Sequence, residues 1–572
     1  MKSRSFFAIL SGVVLGLVLL GAIGAYWLTA SAPAQLPKQN ASHATPTAAM
    51  FVPRQSAVMV SLLVNPDRLE SFWLAEAAAP QRKSLKADLG RLQQSLFSTV
   101  GLDYERDLKA WLGDEVTFAL TSPDIDRDPA NGSQPGYLLA LAVEDPQVSQ
   151  TAVQAFWRRT AAKDLVTESF AGVPIVHAAD ADSLEEPEVT FASAMVGNQY
   201  VLFANSPKVI RSALNSVQVA SLSLESSFTY QQALEQLSGQ QFGVVFAAVA
   251  QMQPWLSQPF LRSNLLSKTP LLSLFDLAAA AQRYDSLMVT LKPDPQGILA
   301  DAAGLLSEPG LQPSSKAVIT DASPLLKFIP SGSTLAIASK DLRQTWQYIS
   351  DQLQEGWLSN LPLATRVEST LASLQQQWGI NFAEDVFDWV TGEYAVAQIP
   401  RADQPQPDWI FVTQRSPEAE AGLDRLDQIA QQQGASIGTF SLSDQKIYAW
   451  TKLVTRSSSS SEPAALQAEV QGVHTTVGAY ELVTTSLEAM QEALETAQAD
   501  TQPDFQAAVA RLQTPNQGYV YLDRKMLAGL QAEFGLESLK PLLNSTQSAV
   551  LSSYGVNETG RRGAVFLHLE GL

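Results

Sequence analysis

The chain has 572 residues, 46% of them hydrophobic and only 17% charged, enough for two to four domains with real cores and too apolar for a disordered polyelectrolyte. Its 57 acidic against 38 basic residues give a net charge of -19, which repels phosphate backbones and excludes nucleic acid as a natural partner. Cysteine is absent, so disulfides, thiolate zinc sites, iron–sulfur clusters and cysteine nucleophiles are all excluded.

Residues 1–5 carry Lys2 and Arg4 and form a short basic lead. Residues 6–28 then run without a charge, and at about 1.5 Å per residue a helix of that length crosses a hydrocarbon layer of roughly 30 Å. The stretch exceeds the usual h-region of a cleaved signal peptide, so a transmembrane anchor is expected, with the N-terminus cytoplasmic and the body extracytoplasmic. Ala8, Gly12 and Gly16 recur every four residues and would let two such helices approach as a homodimer. Residues 29–48 are rich in Ala, Pro, Ser, Thr and Gln with no apolar period, and read as a flexible tether.

Beyond the tether the chain repeats itself. Phe51-Val-Pro53-Arg-Gln-Ser56 before an apolar run matches Phe328-Ile-Pro330-Ser-Gly-Ser333 before another. The segment from Gly101 through Asp107 and Trp111 to Glu115 matches, without gaps, the segment from Gly379 through Asp385 and Trp389 to Glu393. Three further blocks follow in the same order: an apolar run leading into Asp145-Pro146 or Ser416-Pro417, the Val196-Gly197 and Val477-Gly478 turns, and Gly243–Phe246 with Gly518–Tyr521. A fixed order of blocks implies tandem duplication, with repeat domains at 49–304 and 317–572 and a Pro/Gly-rich linker at 305–316. Successive short β-branched and aromatic runs, such as Val116–Leu120 and Tyr137–Val143, imply hairpins, and helices lie between them, so the expected class is α+β with mainly antiparallel sheet.

In the Trp segments, Asp103 and Asn381 are N-cap types, and Leu108, Trp111 and Leu112, like Val386, Trp389 and Val390, follow at helical spacing. The spacing predicts a short helix anchored on its own sheet by a large aromatic. Asp107 with Glu115 and Asp385 with Glu393 are acids common to both copies and invite a general acid/base reading, but nothing in the spacing sets their separation and no basic residue recurs beside them. Charge is uneven: 17 acidic against 6 basic residues lie between 101 and 200, and 21 against 7 between 351 and 500, marking an acidic middle portion in each copy.

Other motifs fail. Asp124-Ile-Asp-Arg-Asp128 starts like a calcium loop, but Pro129 and Pro135 stand where Gly and Glu are needed. The histidines, His43, His177, His474 and His568, share no ligand spacing, so no metal site is expected. Ser443-Asp-Gln-Lys446 fits S-x-x-K by letter but lacks its companions, and no phosphate or dinucleotide fingerprint occurs, so no cofactor and no catalytic residue is assigned.

An anchor, F-x-P-x-x-S before a strand and a G-hydrophobic-D/N-aromatic…D…W…E segment together resemble a bacterial family, largely cyanobacterial, defined only as a domain of unknown function. The residues that carry the resemblance are Phe51, Pro53, Ser56, Gly101, Asp107, Trp111 and Glu115 with their second-copy equivalents. The resemblance implies a membrane-associated location, in periplasm or thylakoid lumen, and supplies no catalytic residues. The expected function is a non-enzymatic scaffold, assembly factor or protein-binding module in the envelope or lumen. A carrier for an apolar or lipid-like ligand is the alternative, and a carboxylate-dependent hydrolase ranks below it.

Overall fold

A computed structural model describes residues 45–76, 86, 102–128, 133–159, 165–178, 191–237, 239–256, 284–307, 323–347, 372, 375–376, 380–402, 404, 406–456, 465–499, 504–534, 543, 545–556 and 560–569. The expected anchor at 6–28, its Ala8, Gly12 and Gly16 stripe, nearly all of the tether, Gly101, Gly379 and most of the linker lie outside the described residues.

Up to residue 307 the described strands are β1 (Val58–Leu62), β2 (Leu112–Ser122), β3 (Gly136–Val143), β4 (Leu165–Phe170), β5 (Val173–Ala178), β6 (Ala192–Val196), β7 (Tyr200–Ala204), β8 (Gly243–Ala248), β9 (Tyr284–Asp294) and β10 (Gly297–Leu306). From residue 323 on they are β11 (Leu335–Lys340), β12 (Glu393–Ile399), β13 (Asp408–Gln414), β14 (Ser436–Leu442), β15 (Gln445–Arg456), β16 (Ala465–Val477), β17 (Tyr480–Thr484), β18 (Gly518–Asp523), β19 (Thr546–Val556) and β20 (Gly560–Leu569). The sequence of pairings in the first set is β4-β5-β6-β7-β3-β2-β1-β8-β9-β10, every step antiparallel. In the second set it is β14-β15-β16-β17-β13-β12-β11-β18-β19-β20, the same order step for step.

The two sets meet edge to edge, because β10 pairs antiparallel with β20 from Gly297↔His568 to Leu305↔Gly560. The register is self-complementary: Asp301, fifth residue of β10, faces Ala564, fifth residue of β20. One continuous antiparallel sheet with helices packed on it results, an α+β architecture, rather than two sheets joined by a linker. β10 also runs to Leu306, two residues into the expected linker, because those residues still pair with β9.

Helices cover both faces, which is why the central strands are apolar on successive residues instead of alternating. In β3, Tyr137, Leu139 and Leu141 enter one apolar cluster and Leu138 and Ala140 the other. The first cluster is closed by α2 (Pro146–Arg159) through Phe156 and Trp157 and by α5 (Val249–Leu256) through Met252 and Trp255; α1 (Pro66–Glu76) precedes them in the chain. The second is closed by α3 (Pro207–Gln218) and α4 (Phe228–Gln236). The later half repeats this arrangement with α6 (Pro417–Gln432), α7 (Leu487–Gln498), α8 (Asp504–Val509) and α9 (Arg524–Phe534).

Local chemistry sets the helix starts in both halves. Asp145 and Ser416 accept from the second or third amides of α2 and α6, with Pro146 and Pro417 at the first position. Ser206 and Ser486 do the same for α3 and α7, which bury Val209, Ile210, Ala213 and Leu214 or Ala489, Met490, Ala493 and Leu494. The Ser443–Lys446 motif is part of a two-residue hairpin turn, with Ser443 and Asp444 both at positive φ between β14 and β15.

Candidate functional site

The Asp and Trp signature residues form the same small structure twice. The expected helix through Leu112 is instead a single π turn, Tyr104–Leu108, matched by Phe382–Val386. Lys109 and Phe387 close these turns by donating to Tyr104 and Phe382 five residues back, and Trp111 and Trp389 follow them. The side chain of each turn's shared acid explains the short length. Asp107 accepts from the backbone N–H of Asp103 at 2.8 Å and Asp385 from that of Asn381 at 2.8 Å, while Asp103 and Asn381 accept from Arg106 and Ala383. This reciprocal cap fastens the turn on itself, and the indole N–H of Trp111 or Trp389 then takes the carbonyl of Asp107 or Asp385.

Both acids are buried and both meet an arginine from the neighbouring helix: Arg159 of α2 lies 2.9 Å from Asp107, and Arg425 of α6 lies 2.8 Å from Asp385. Burial alone would raise the Asp107 carboxyl, but hydrogen bonds from Arg106, the Asp103 amide and Arg159 outweigh it and hold that carboxyl below its usual range. The two arginines sit at different places along their helices, so a comparison of sequence blocks does not reveal them.

Glu115 does not approach this group. It is buried on the opposite face, where its carboxylate accepts from the backbone N–H of Ala48 at 2.9 Å, from Thr47 through both N–H and hydroxyl, from the Thr117 hydroxyl and from the Tyr200 hydroxyl at 2.9 Å. Thr47 and Tyr200 are themselves hydrogen-bonded, and burial followed by the negative charge of Glu115 pushes the Tyr200 phenol up to about 12. The cluster pins the turn Thr47–Phe51, so Thr47 and Ala48, the last residues of the expected tether, are part of the folded body. Asp107 and Glu115 therefore bind separate structural groups on opposite sides of the sheet. Glu393 opens β12 opposite Lys340 and is half-buried.

The F-x-P-x-x-S residues act as a wedge. Phe51 and Phe328 are fully buried and meet Tyr200 and Tyr480 edge-on, with centroids 5.0 and 5.6 Å apart. The carbonyls of Pro53 and Pro330 accept from the N–H of Ser56 and Ser333, making the same turn ahead of β1 and β11.

One polar cluster belongs to the second half alone. Asp427 of α6 accepts from Trp450 Nε1 at 2.6 Å and lies 3.0 Å from His474 Nε2, and Tyr448 stacks on the His474 ring at 5.0 Å. Desolvation opposes the Asp427 charge, yet the bonds from His474 and Trp450 keep its carboxyl below the ordinary range. Nearby on the sheet, Glu481 is buried with the Thr476 hydroxyl 2.8 Å away, and there desolvation wins and its carboxyl is raised. A crevice of about 40 Å³ opens beside Trp450, bordered by Leu426, Ile429, Lys452 and Gln471. That volume suits a water molecule, whereas organic ligands occupy roughly 300–1,000 Å³. His474 alone was visible in the sequence; its partners come from a helix and a strand whose proximity only the fold supplies.

Among the described residues there is no group of three His, Asp or Glu side chains that could hold a metal, and no helix is long and apolar enough to cross a membrane. No curated protein matches the chain. Two solved structures of TP0453, crystal forms III and I, align with 48% and 47% of this chain and 83% and 82% of theirs, at 8% and 11% identity and TM-scores of 0.24 and 0.23. A likeness that distant carries no argument. Through a family model that matches residues 10–569, the chain belongs to the proteins of unknown function grouped as DUF3352.

Proposed function

We propose that the protein is a non-enzymatic scaffold or protein-binding module, held by a single N-terminal membrane span with its body outside the cytoplasm, and that the body arose by tandem duplication. The duplication is supported by the five sequence blocks and by the step-for-step identity of the two strand orders. The anchor reading rests on the uncharged stretch at 6–28 and the basic residues before it.

The observation that carries the scaffold reading is how the described shared acids are used. Asp107, Asp385 and Glu115 spend their oxygens on backbone amides, hydroxyls and arginines that close turns and fasten the chain to the sheet. A carboxylate engaged in this way stabilises architecture and is not poised to move a proton to a substrate. Recovery of the protein from solubilised membranes tests the reading: a stoichiometric partner is expected, and recovery of the protein alone contradicts it. A carrier of an apolar or lipid-like ligand is the second reading, and it requires an apolar cavity between helices and sheet far larger than the crevice of about 40 Å³ beside Trp450. A carboxylate-dependent hydrolase ranks below both, and unchanged function after joint replacement of Asp107, Glu115, Asp385 and Glu393 would end that reading.

A further inference from the structure

The turn at Thr47–Phe51 and the residues after it are bound to one particular stretch of surface. The Arg54 N–H donates to the carbonyl of Leu222 at 2.7 Å, the Leu224 N–H donates to Val52 at 2.7 Å, and Pro53 bridges Ser223. That stretch, the C-terminal end of α3 through the start of α4, exposes four apolar side chains within twelve residues: Val217 is 40%, Val219 49%, Leu222 48% and Phe228 71% exposed. Among the described residues these are four of the nine large apolar side chains left in water, and Phe228 is the most exposed of all. From Val217 to Phe228 the sequence carries a single charge, Glu225. Four such side chains facing water within a stretch half of whose other residues are serine and which carries one charge are unfavourable for a free surface and mark a contact with an apolar phase or partner.

We infer that this surface rests on the lipid bilayer, with Val217, Val219, Leu222 and Phe228 in the interfacial layer. The inference rests on the anchor reading of residues 6–28. As part of the flexible tether expected at 29–48, residues 29–46 would reach about 25 Å root-mean-square and at most about 60 Å, which would hold the end bound by Glu115 within that distance of the membrane. The backbone of residues 222–224 is hydrogen-bonded to the residues that follow that end, so the same leash that holds the body also holds this stretch near the membrane. Confinement at that distance makes docking effectively intramolecular, and a few partly inserted apolar side chains then suffice. The body's negative charge favours contact through apolar groups over attraction to anionic headgroups.

The absence of native cysteine makes a direct test available. The full-length chain is reconstituted in phosphatidylcholine vesicles containing acyl-chain-brominated phosphatidylcholine, with an environment-sensitive dye on a single cysteine introduced as Val219→Cys, Leu222→Cys or, as reference, Leu453→Cys. Leu453 is 68% exposed in β15, in the other half of the sheet. The dye at 219 and 222 is expected to shift blue and to be quenched by bromine several times more strongly than at 453. Adding Phe228→Asp to the Val219→Cys chain is expected to remove most of that quenching. Dyes that remain water-exposed while the protein resists carbonate extraction overturn the docking inference but leave the anchor reading standing. Blue-shifted dyes without bromine quenching mean that protein covers the face, and also overturn it. Carbonate extraction with lipid-quenched dyes overturns the anchor and supports the docking; extraction with water-exposed dyes overturns both.

Discussion

The two halves share a strand order but fill one matched place in opposite ways. Counted from the leading prolines of α2 and α6, Phe156 stands where the second half has Asp427, and by pairing with Phe203 or Val483, Ser193 stands where it has His474. In the first half this layer is aromatic: Phe156 meets Phe203 and Phe191 edge-on, and Trp157 Nε1 donates to the Ser193 hydroxyl at 2.8 Å. In the second it is an acid, a histidine and an indole. Sheet register and helix starts specify the architecture, and the layer between helix and sheet accepts either a dry or a charged filling if every buried polar atom finds a partner.

The largest effect should come from the aromatic anchors, and it should be unequal. Trp111 is fully buried, and Trp111→Ala should cost about 3–5 kcal/mol of stability. Trp389 is only half-buried against Gly422, so Trp389→Ala should cost clearly less. Denaturant midpoints of the two variants measure the asymmetry, and equal losses would mean that the two motifs are packed alike.

Next is Asp427→Ala, which strands the Trp450 indole and His474 and should cost about 1–3 kcal/mol near neutral pH. Because the folded Asp427 carboxyl lies below its unfolded value of about 4, its contribution is complete above that value and is lost as pH falls through the lowered one. The difference between wild type and variant should thus shrink in acid, whereas the loss caused by Phe156→Ala should not depend on pH in that window. Parallel unfolding series at neutral and acid pH compare the two.

The smallest effect has the opposite sign. Burial raises Glu481, so its contribution is complete below the unfolded carboxylate pKa and is lost as pH rises through the raised folded one. Glu481→Gln keeps an acceptor for Thr476 and should raise neutral-pH stability by about 1 kcal/mol or less, an effect that disappears in acid. The first half has Val201 at this position and needs no such correction.

Much of this fold was legible. Hairpins, helix starts such as Asp145-Pro146 and Ser416-Pro417, and the block order all arise from short-range chemistry, and they gave the α+β class. The helix expected at Trp111 was shortened because the Asp107 side chain caps its own turn, a geometry that apolar spacing does not encode. The β10–β20 seam was not foreseen either, since pairing between strands so distant in sequence leaves no local signal. The same holds for the candidate sites: the Asp, Trp and Glu residues were visible as repeated letters, whereas their roles came from Arg159, Arg425, Thr47 and Tyr200, which only the folded chain brings near.

The central claim is that the halves form one sheet through β10 and β20 instead of two modules on a string. Amide hydrogen exchange on the full-length protein tests it most directly. The seam amides within 297–305 and 560–568 should be protected to the same degree as the ladders β8–β9 and β18–β19 inside each half. Fast exchange at the seam, with protection retained inside both halves, would contradict the account.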